Sequence, residues 1–156
     1  MSEVADFVGM LSGIAIIIGV LVALHTMRED HRRRKAQGFV EYYRGISWRL
    51  AKLRASIEKY YSEHGNDINP KDDSYSTIHK DVEKYLNYME DLAVAINNDV
   101  YDFNIYAHCE GRTVVDFYRL LEPVIKYQRK DEKNHICRDY LILIEDTKKW
   151  LAKKKL

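Results

Sequence analysis

Apolar side chains recur with a helical period in FVEYYRGISWRLAKLRASIEKY, residues 39–60, at steps that alternate between four and three. This heptad spacing places them on one stripe of an α-helix and the charged side chains on its other faces. The spacing would suit a coiled coil between two chains. However, three more amphipathic helices follow, and one bundle core covers all four, so we expect the stripe to pack within its own domain. The stripe consists of Phe39, Tyr43, Ile46, Leu50, Leu53, Ile57 and Tyr60.

Three further main helices are predicted toward the C-terminus. The second follows a polar loop at residues 64–76 and repeats the alternating steps. The third, residues 112–130, is apolar nearly all round, which is typical of a central helix, and Pro123 predicts a kink in it. Asn134 is a candidate cap for the last helix, and Asp102 for a short additional one. No stretch has the sustained alternation of a strand, so the predicted class is all-α with about four main helices.

On the N-terminal side lies the uncharged segment FVGMLSGIAIIIGVLVAL, which begins at Phe7 and ends at Leu24. As a helix it is roughly 27 Å long, close to the bilayer hydrocarbon core of about 30 Å. A buried core helix would have a polar face, which this segment lacks. A cleaved signal peptide would begin with cations, whereas Glu3 and Asp6 are the charged residues here. We therefore predict a single N-terminal transmembrane helix.

A cluster of cations, called the collar below, follows the apolar segment. Lys and Arg beside a membrane helix mark its cytoplasmic end, so we expect the N-terminus outside an inner membrane and the rest of the chain inside. The same cations can contact anionic headgroups. The predicted organisation is a tail and membrane helix at residues 1–27, a juxtamembrane region at 28–37 and a helical cytoplasmic domain at 38–156. The collar consists of Arg28, Arg32, Arg33, Arg34 and Lys35.

Small residues share one face of the predicted membrane helix, at spacings of three, four and four. Small side chains let two membrane helices approach closely, so this face is a candidate for a homo-oligomer. Gly and Ala are also common in membrane helices in general, and that alternative stays open. The face consists of Ser12, Ala15, Gly19 and Ala23.

Charge is nearly balanced, with 25 Lys and Arg against 24 Asp and Glu and a net charge of +1. Beyond Lys35 the cations and anions are equal in number, which disfavours a uniformly basic nucleic-acid-binding domain. The predicted partners are therefore the lipid bilayer and a protein whose identity the sequence does not give.

Recognisable catalytic and cofactor motifs are absent from the sequence, which has no G-x-x-x-x-G-K-[ST], no G-x-G-x-x-G and no H-E-x-x-H. Residue types that bind zinc occur at His108, Cys109, His135 and Cys137, but an adjacent His-Cys pair chelates poorly. A disulfide between the two cysteines is disfavoured in a reducing cytoplasm. We expect no metal, no cofactor and no catalytic residue. We expect Glu90 to be half-buried and bonded to a Tyr or an Arg.

Three segments of the sequence resemble domain-of-unknown-function family 4760. They are YLNYMEDLAVAINNDVYD at residues 85–102, VVDFYRLLEPVIKYQRK at 114–130 and DYLILIEDTKKW at 139–150. With the membrane helix and the collar, the resemblance covers about residues 28–150. It implies a small helical protein, often membrane-anchored, of bacteria or phages, and it implies no catalytic residues. One departure is Asn98 and Asp99, which stand where a Gly is expected after the second helix.

These features favour a non-enzymatic interaction or regulatory module, held at the cytoplasmic membrane face to bind another protein. In a phage or prophage, the target would be a host envelope or defence system. Two alternatives stay open. One is a membrane-tethered enzyme acting on a nucleotide or lipid, with Glu90, His108 and Arg112 as participants. The other is a structural subunit whose membrane helix pairs within a larger complex.

Overall fold

Five α-helices make up the computed structural model, which describes residues 2–65, 75–129 and 136–154, with side chains from residue 16 onward. These described residues contain no strand. The predictions of an all-α class and of four main helices with one short helix are confirmed. The helices are α1 (Ser2–His64), α2 (Tyr75–Asn97), α3 (Phe103–Cys109), α4 (Gly111–Gln128) and α5 (Arg138–Lys154).

The helix α1 is unbroken over 63 residues, which corresponds to about 95 Å at 1.5 Å per residue. It contains the apolar segment, the collar and the periodic stripe, and it continues through both Gly38 and Gly45. At Gly38 an added Cβ would lie 3.3 Å from a ring carbon of Tyr101. The small residue therefore lets α1 approach the segment that follows α2.

The predicted transmembrane helix is part of α1. Residues 7–15 of the apolar segment lie outside the residues with described side chains, and residues 16–24 are exposed. Within the part of the chain that the structure describes, no helix is long and apolar enough to cross a membrane. The predicted helix is therefore present in the structure, but the prediction that it crosses a membrane is not supported.

The stripe on residues 39–60 packs inside the bundle, as predicted. The helix α2 runs antiparallel beside it, because Arg49 contacts Tyr88 while Ser56, further along α1, contacts Asp81, earlier in α2. The stripe residues are buried at Phe39, Ile46, Leu50, Ile57 and Tyr60, and half-buried at Tyr43 and Leu53.

The helix α2 lies between α1 and α5, and α4 packs against α5 and α3. The prediction that residues 112–130 form the central helix is wrong. Arg112, Asp116 and Arg119 are exposed on one face of α4, and their spacing of four and three aligns them along the helix. A few polar residues at helical spacing are enough to give a solvent-facing side to a segment that is apolar elsewhere.

Tyrosine rings fill much of the core, and Tyr85, Tyr106 and Tyr140 have no exposed surface. Their hydroxyls, and those of Tyr61 and Tyr75, have no hydrogen-bond partner among the described residues. Burial raises the pKa of all five hydroxyls, that of Tyr61 to about 12. The folded state therefore favours the neutral form of these side chains.

We expect the bundle to lose stability as pH rises above about 10, where an unfolded tyrosine ionises. Between about pH 10 and the raised pKa values, the unfolded state binds fewer protons than the folded state, so the free energy of unfolding falls. For Tyr61 the shift from 10.0 to about 12 is worth roughly 3 kcal/mol once pH passes 12. Thermal melts followed by circular dichroism across this range measure the loss. Tyr61→Phe should flatten the pH dependence, and an unchanged slope would contradict the assignment.

Candidate functional site

The collar is a basic stretch of α1 at the point where the bundle begins. Its four arginines are exposed, whereas Lys35 is half-buried. The Lys35 ammonium donates a hydrogen bond to the carboxylate of Asp99, just after the end of α2. That hydrogen bond and the charge of Lys35 lower the pKa of Asp99. One collar residue thus fastens the C-terminal end of α2 to α1.

Asp99 also shapes the end of α2. Its φ of 60° is in the left-handed region, which Gly adopts most readily and Asp tolerates better than most residues. Its amide donates to the carbonyl of Ile96, and the Val100 amide donates to the carbonyl of Ala95. These two bonds use carbonyls that the helix end would otherwise leave free. The Asp that stands in place of the expected Gly therefore both ends the helix and pairs with the collar.

The small-residue face predicted for self-association lies on the N-terminal part of α1. Ser12 and Ala15 are outside the residues with described side chains. Gly19 and Ala23 are exposed, and a Cβ added at Gly19 would meet no atom within 4 Å. Self-association through this face stays a prediction.

A groove of about 290 Å³ lies between α1 and α2, and we call it the Trp48 groove. Trp48 is 61% exposed, which is unusual for so large an apolar side chain. The Arg49 guanidinium carbon lies 5.3 Å from the centroid of the Trp48 ring, and Arg49 Nη1 donates to the Tyr88 hydroxyl at 3.3 Å. One cation therefore links the two aromatic side chains. The lining includes Trp48, Arg49, Lys52, Asp81, Lys84 and Tyr88.

Cations outnumber carboxylates in the Trp48 groove. Its three cations face a single lining carboxylate, Asp81, which already accepts a hydrogen bond from Ser56 at 2.7 Å. Trp, Tyr and Arg are also the residue types that contribute most often to binding energy at protein interfaces. In chemical terms the groove suits an extended segment that carries acidic side chains.

A second polar cluster lies deeper, where α1 meets the junction of α3 and α4. Arg54 Nη2 donates to Glu110 Oε2 at 2.9 Å, and these side chains are only 13% and 15% exposed. Glu110 follows the last residue of α3 and precedes the first residue of α4. Burial, and then the neighbouring Glu110, raise the pKa of Tyr43. The ion pair therefore ties the α3–α4 junction to α1, since loss of either partner would leave a largely buried charge unpaired.

A larger groove of about 630 Å³ runs between α4 and α5, and four cations line it. Arg119 and Lys148 each pair with a carboxylate on their own helix, at 2.8 and 2.7 Å. Arg112 and Lys154 form no ion pair with any residue that the structure describes. Among the residues that the structure describes, two cations of this groove are thus paired with carboxylates and two are not.

His108 lies beside this groove and also lines a third one, of about 470 Å³, between α1 and α3. Its Nδ1 is 2.9 Å from the carbonyl of Asn104, so Nδ1 donates and Nε2 accepts from Lys154 Nζ at 3.5 Å. The Trp150 ring is edge-on to the imidazole, with ring centroids 4.6 Å apart. Two collar arginines also line the α1–α3 groove, so His108 connects the collar with the α4–α5 groove.

Of the three residues considered for an enzyme, His108 and Arg112 border the α4–α5 groove, whereas Glu90 lies apart from them. The Glu90 carboxylate accepts hydrogen bonds from the amides of Asp139 and Tyr140 at 3.1 and 2.8 Å, and so caps the N-terminus of α5. His108 instead contacts Trp150, which is about 15 Å further along α5 than Tyr140. Glu90 is half-buried, as predicted. The predicted Tyr partner is Tyr140, which donates through its backbone amide at the start of α5 and not through its hydroxyl.

Both cysteines are free thiols, Cys109 exposed and Cys137 buried. Burial raises the pKa of the Cys137 thiol to about 12, so it stays protonated near neutral pH. Among the described residues there is no group of three or more side chains that could hold a metal ion. His135, the remaining residue considered for zinc, lies outside them.

We expect Glu90→Ala to lower the stability of the bundle by about 1–2 kcal/mol, as for the loss of a helix cap. The substitution leaves two amides at the start of α5 without their acceptor. Chemical denaturation followed by circular dichroism measures the change. Asp91→Ala, at the exposed neighbouring position, is the matched control and should change stability little. Equal effects of the two substitutions would argue against the cap.

Comparison with known proteins identifies a family. Over residues 13–150 the sequence matches the family described as Domain of unknown function (DUF4760). No curated protein and no solved structure matches the chain. The matched range begins inside the apolar segment and includes the collar, α2, α3 and α4 and most of α5. The resemblance seen in the sequence is confirmed, and this chain belongs to the DUF4760 family.

Proposed function

We propose that this chain is a membrane-anchored interaction module without catalytic activity. In this proposal residues 7–24 cross an inner membrane, and the bundle binds a protein partner at the cytoplasmic face. The continuity of α1 carries the proposal, because one unbroken helix joins the apolar segment, the collar and the first core stripe. The surroundings of residues 7–24, whether lipid or another chain, therefore also determine where the bundle lies.

The apolar N-terminal part of α1 exposes a large aliphatic surface that lipid or another chain would have to cover. Ile16, Leu21 and Leu24 are 66%, 61% and 48% exposed, and the aliphatic side chains between them are exposed as well. A contiguous apolar surface of this kind is unfavourable in water and is typical of a segment that contacts lipid or another chain. The collar directly beyond it supports lipid, because cations are typical of the cytoplasmic edge of a membrane helix.

The Trp48 groove is the proposed binding site for the partner. Trp48 lies about 36 Å beyond Leu24 along α1, so the groove stands clear of the headgroup layer when α1 is upright. Its exposed indole, its linked Arg49 and Tyr88, and its excess of cations favour an acidic segment of a protein. In a phage- or prophage-encoded chain that protein would belong to a host envelope or defence system.

The full chain should stay in the membrane fraction after washes with high salt and with alkaline carbonate. Ile14→Arg combined with Ile17→Arg should release it, because a charge at the centre of a membrane helix costs about 3 kcal/mol. Arg32→Gln with Arg33→Gln is the matched control and should remain carbonate-resistant. A reporter fused after residue 156 should be active in the cytoplasm. Release of the unaltered chain by salt alone would contradict anchoring, and a reporter active outside would contradict only the orientation.

A tagged full chain purified from native membranes should retain a partner that mass spectrometry identifies. Trp48→Ala should lose that partner, whereas Ile142→Ala, at an exposed apolar side chain of α5, should retain it. Equal retention by both variants would contradict the groove assignment. Recovery of only a second copy of the chain, lost in Gly19→Ile, would instead favour a structural homo-oligomer formed through the membrane helix.

A further inference from the structure

The α4–α5 groove combines unpaired cations with an apolar floor. We infer that it binds a small organic phosphate, with the phosphate group at Arg112 and Lys154 and the organic part against the floor. Such a site needs neither the membrane anchor nor the Trp48 groove, and so it goes beyond the proposed function.

The cations of the groove differ in whether a carboxylate already neutralises them. Arg119 pairs at 2.8 Å with Asp116, which is the one carboxylate among the lining residues that the structure describes. Lys148 pairs at 2.7 Å with a carboxylate on its own helix. Arg112 and Lys154 pair with no carboxylate in the described part of the chain. The unpaired positive charge of the groove therefore lies on these two residues, one from each helix.

Arg112 stays unpaired although two acidic residues are close to it in sequence. Asp116 is four residues further along α4, a spacing that suits an ion pair, but its carboxylate is taken by Arg119. Glu110, two residues before Arg112, pairs with Arg54 at 2.9 Å. The first turn of α4 contains no acidic residue, and a cation there is unfavourable beside the positive end of the helix dipole. An anion bound at Arg112 would offset this repulsion.

Lys154 is held at the groove by uncharged groups. Its Nζ lies 3.5 Å from His108 Nε2 and 5.1 Å from the centroid of the Trp150 ring. The imidazole is held in turn by the hydrogen bond from its Nδ1 to the carbonyl of Asn104 at 2.9 Å. A lysine ammonium has three N–H donors, so the contact with His108 leaves donors for a ligand. Because the side chain is already positioned, it loses less freedom on binding than a mobile lysine would.

The floor of the groove is apolar and the groove has the size of a small-molecule site. Val115 is buried, Leu151 is half-buried and Ala152 is exposed along it. The volume of about 630 Å³ lies within the range of roughly 300–1,000 Å³ that is typical of such sites. An apolar floor beside two unpaired cations suits a ligand with an organic body and one strongly anionic group.

The number and type of the cations favour a phosphate over a carboxylate. A phosphate monoester carries a charge of about −1.5 to −2 at pH 7, which matches two cations, whereas a carboxylate would neutralise only one. The Arg112 guanidinium can donate two parallel hydrogen bonds to phosphate oxygens, and the Lys154 ammonium acts as a point charge beside them.

The position of Arg112 favours a phosphate from solution over a lipid headgroup. Its neighbour Glu110 pairs with Arg54, which is about 45 Å beyond Leu24 along α1. The headgroup layer extends only about 5–8 Å beyond the hydrocarbon core. With α1 upright in a membrane, lipid phosphates would therefore not reach this end of the groove.

Titration of the full chain in micelles of a neutral detergent tests this site, with phenyl phosphate as the probe. The chain has two Trp, so Trp48→Phe leaves Trp150, which contacts Lys154, as the single fluorescent reporter. We expect a saturable change in Trp150 emission. Benzoate and inorganic phosphate should each bind about tenfold more weakly, because benzoate has a single charge and inorganic phosphate has no organic part.

Two double variants, compared by isothermal titration calorimetry, localise the binding. Arg112→Gln with Lys154→Gln should weaken the affinity for phenyl phosphate about 30-fold, which corresponds to about 1 kcal/mol for each exposed ion pair lost. Lys52→Gln with Lys84→Gln removes the same number of cations from the Trp48 groove and should leave the affinity close to that of the unaltered chain. Circular dichroism melts confirm that both variants are folded.

Each other outcome overturns the assignment in a recognisable way. Absence of saturable binding removes the site, and unchanged binding by the Arg112 and Lys154 variant moves the probe elsewhere. Equal weakening by both double variants reduces the result to net charge. Benzoate that binds as tightly as phenyl phosphate assigns the cations to a carboxylate, as in an acidic protein segment. Inorganic phosphate that binds as tightly removes the organic part. None of these results bears on the anchor, which carbonate washing tests separately.

Discussion

The unbroken course of α1 is the constraint on which the rest of the structure depends. A single helix supplies the apolar segment, the collar and one side of the core, so the number of residues between these parts sets both their separation and their relative rotation. Each residue adds about 1.5 Å and about 100° to that relation. The Lys35–Asp99 pair then fastens the end of α2 at the level of the collar. The bundle consequently begins at a fixed distance from the apolar segment.

Local patterns were sufficient to predict the helices. A helix that packs on one side repeats its apolar residues with the helical period, and that period is present in the sequence of α1 and α2. Leu50 and Val82, both fully buried, are examples. Caps can be predicted for the same reason, because Asp102 accepts from amides only two and three residues further along. The central position assigned to α4 failed because helix order in space depends on contacts between segments.

Contacts between distant residues were not predictable from spacing. Lys35 and Asp99 are 64 residues apart, Arg54 and Glu110 are 56 apart, and Glu90 and Tyr140 are 50 apart. Nothing near Glu90 indicates that its carboxylate caps another helix. The grooves could not be foreseen either, since each needs side chains from two helices. Trp48 was not predicted as a site residue, although it falls between Ile46 and Leu50 and off the apolar stripe.

The Trp48 groove and the collar are separate parts of α1. The groove lies between α1 and α2, and Arg32 of the collar is about 24 Å from Trp48 along the helix. Contact between the collar and lipid would therefore leave the Trp48 groove open. Because that groove lies about 36 Å from the end of the apolar segment along α1, the acidic segment of a partner must come within that distance of the membrane to bind there. In the proposed arrangement the anchor sets where the binding takes place, and the excess of cations in the groove selects the partner by charge.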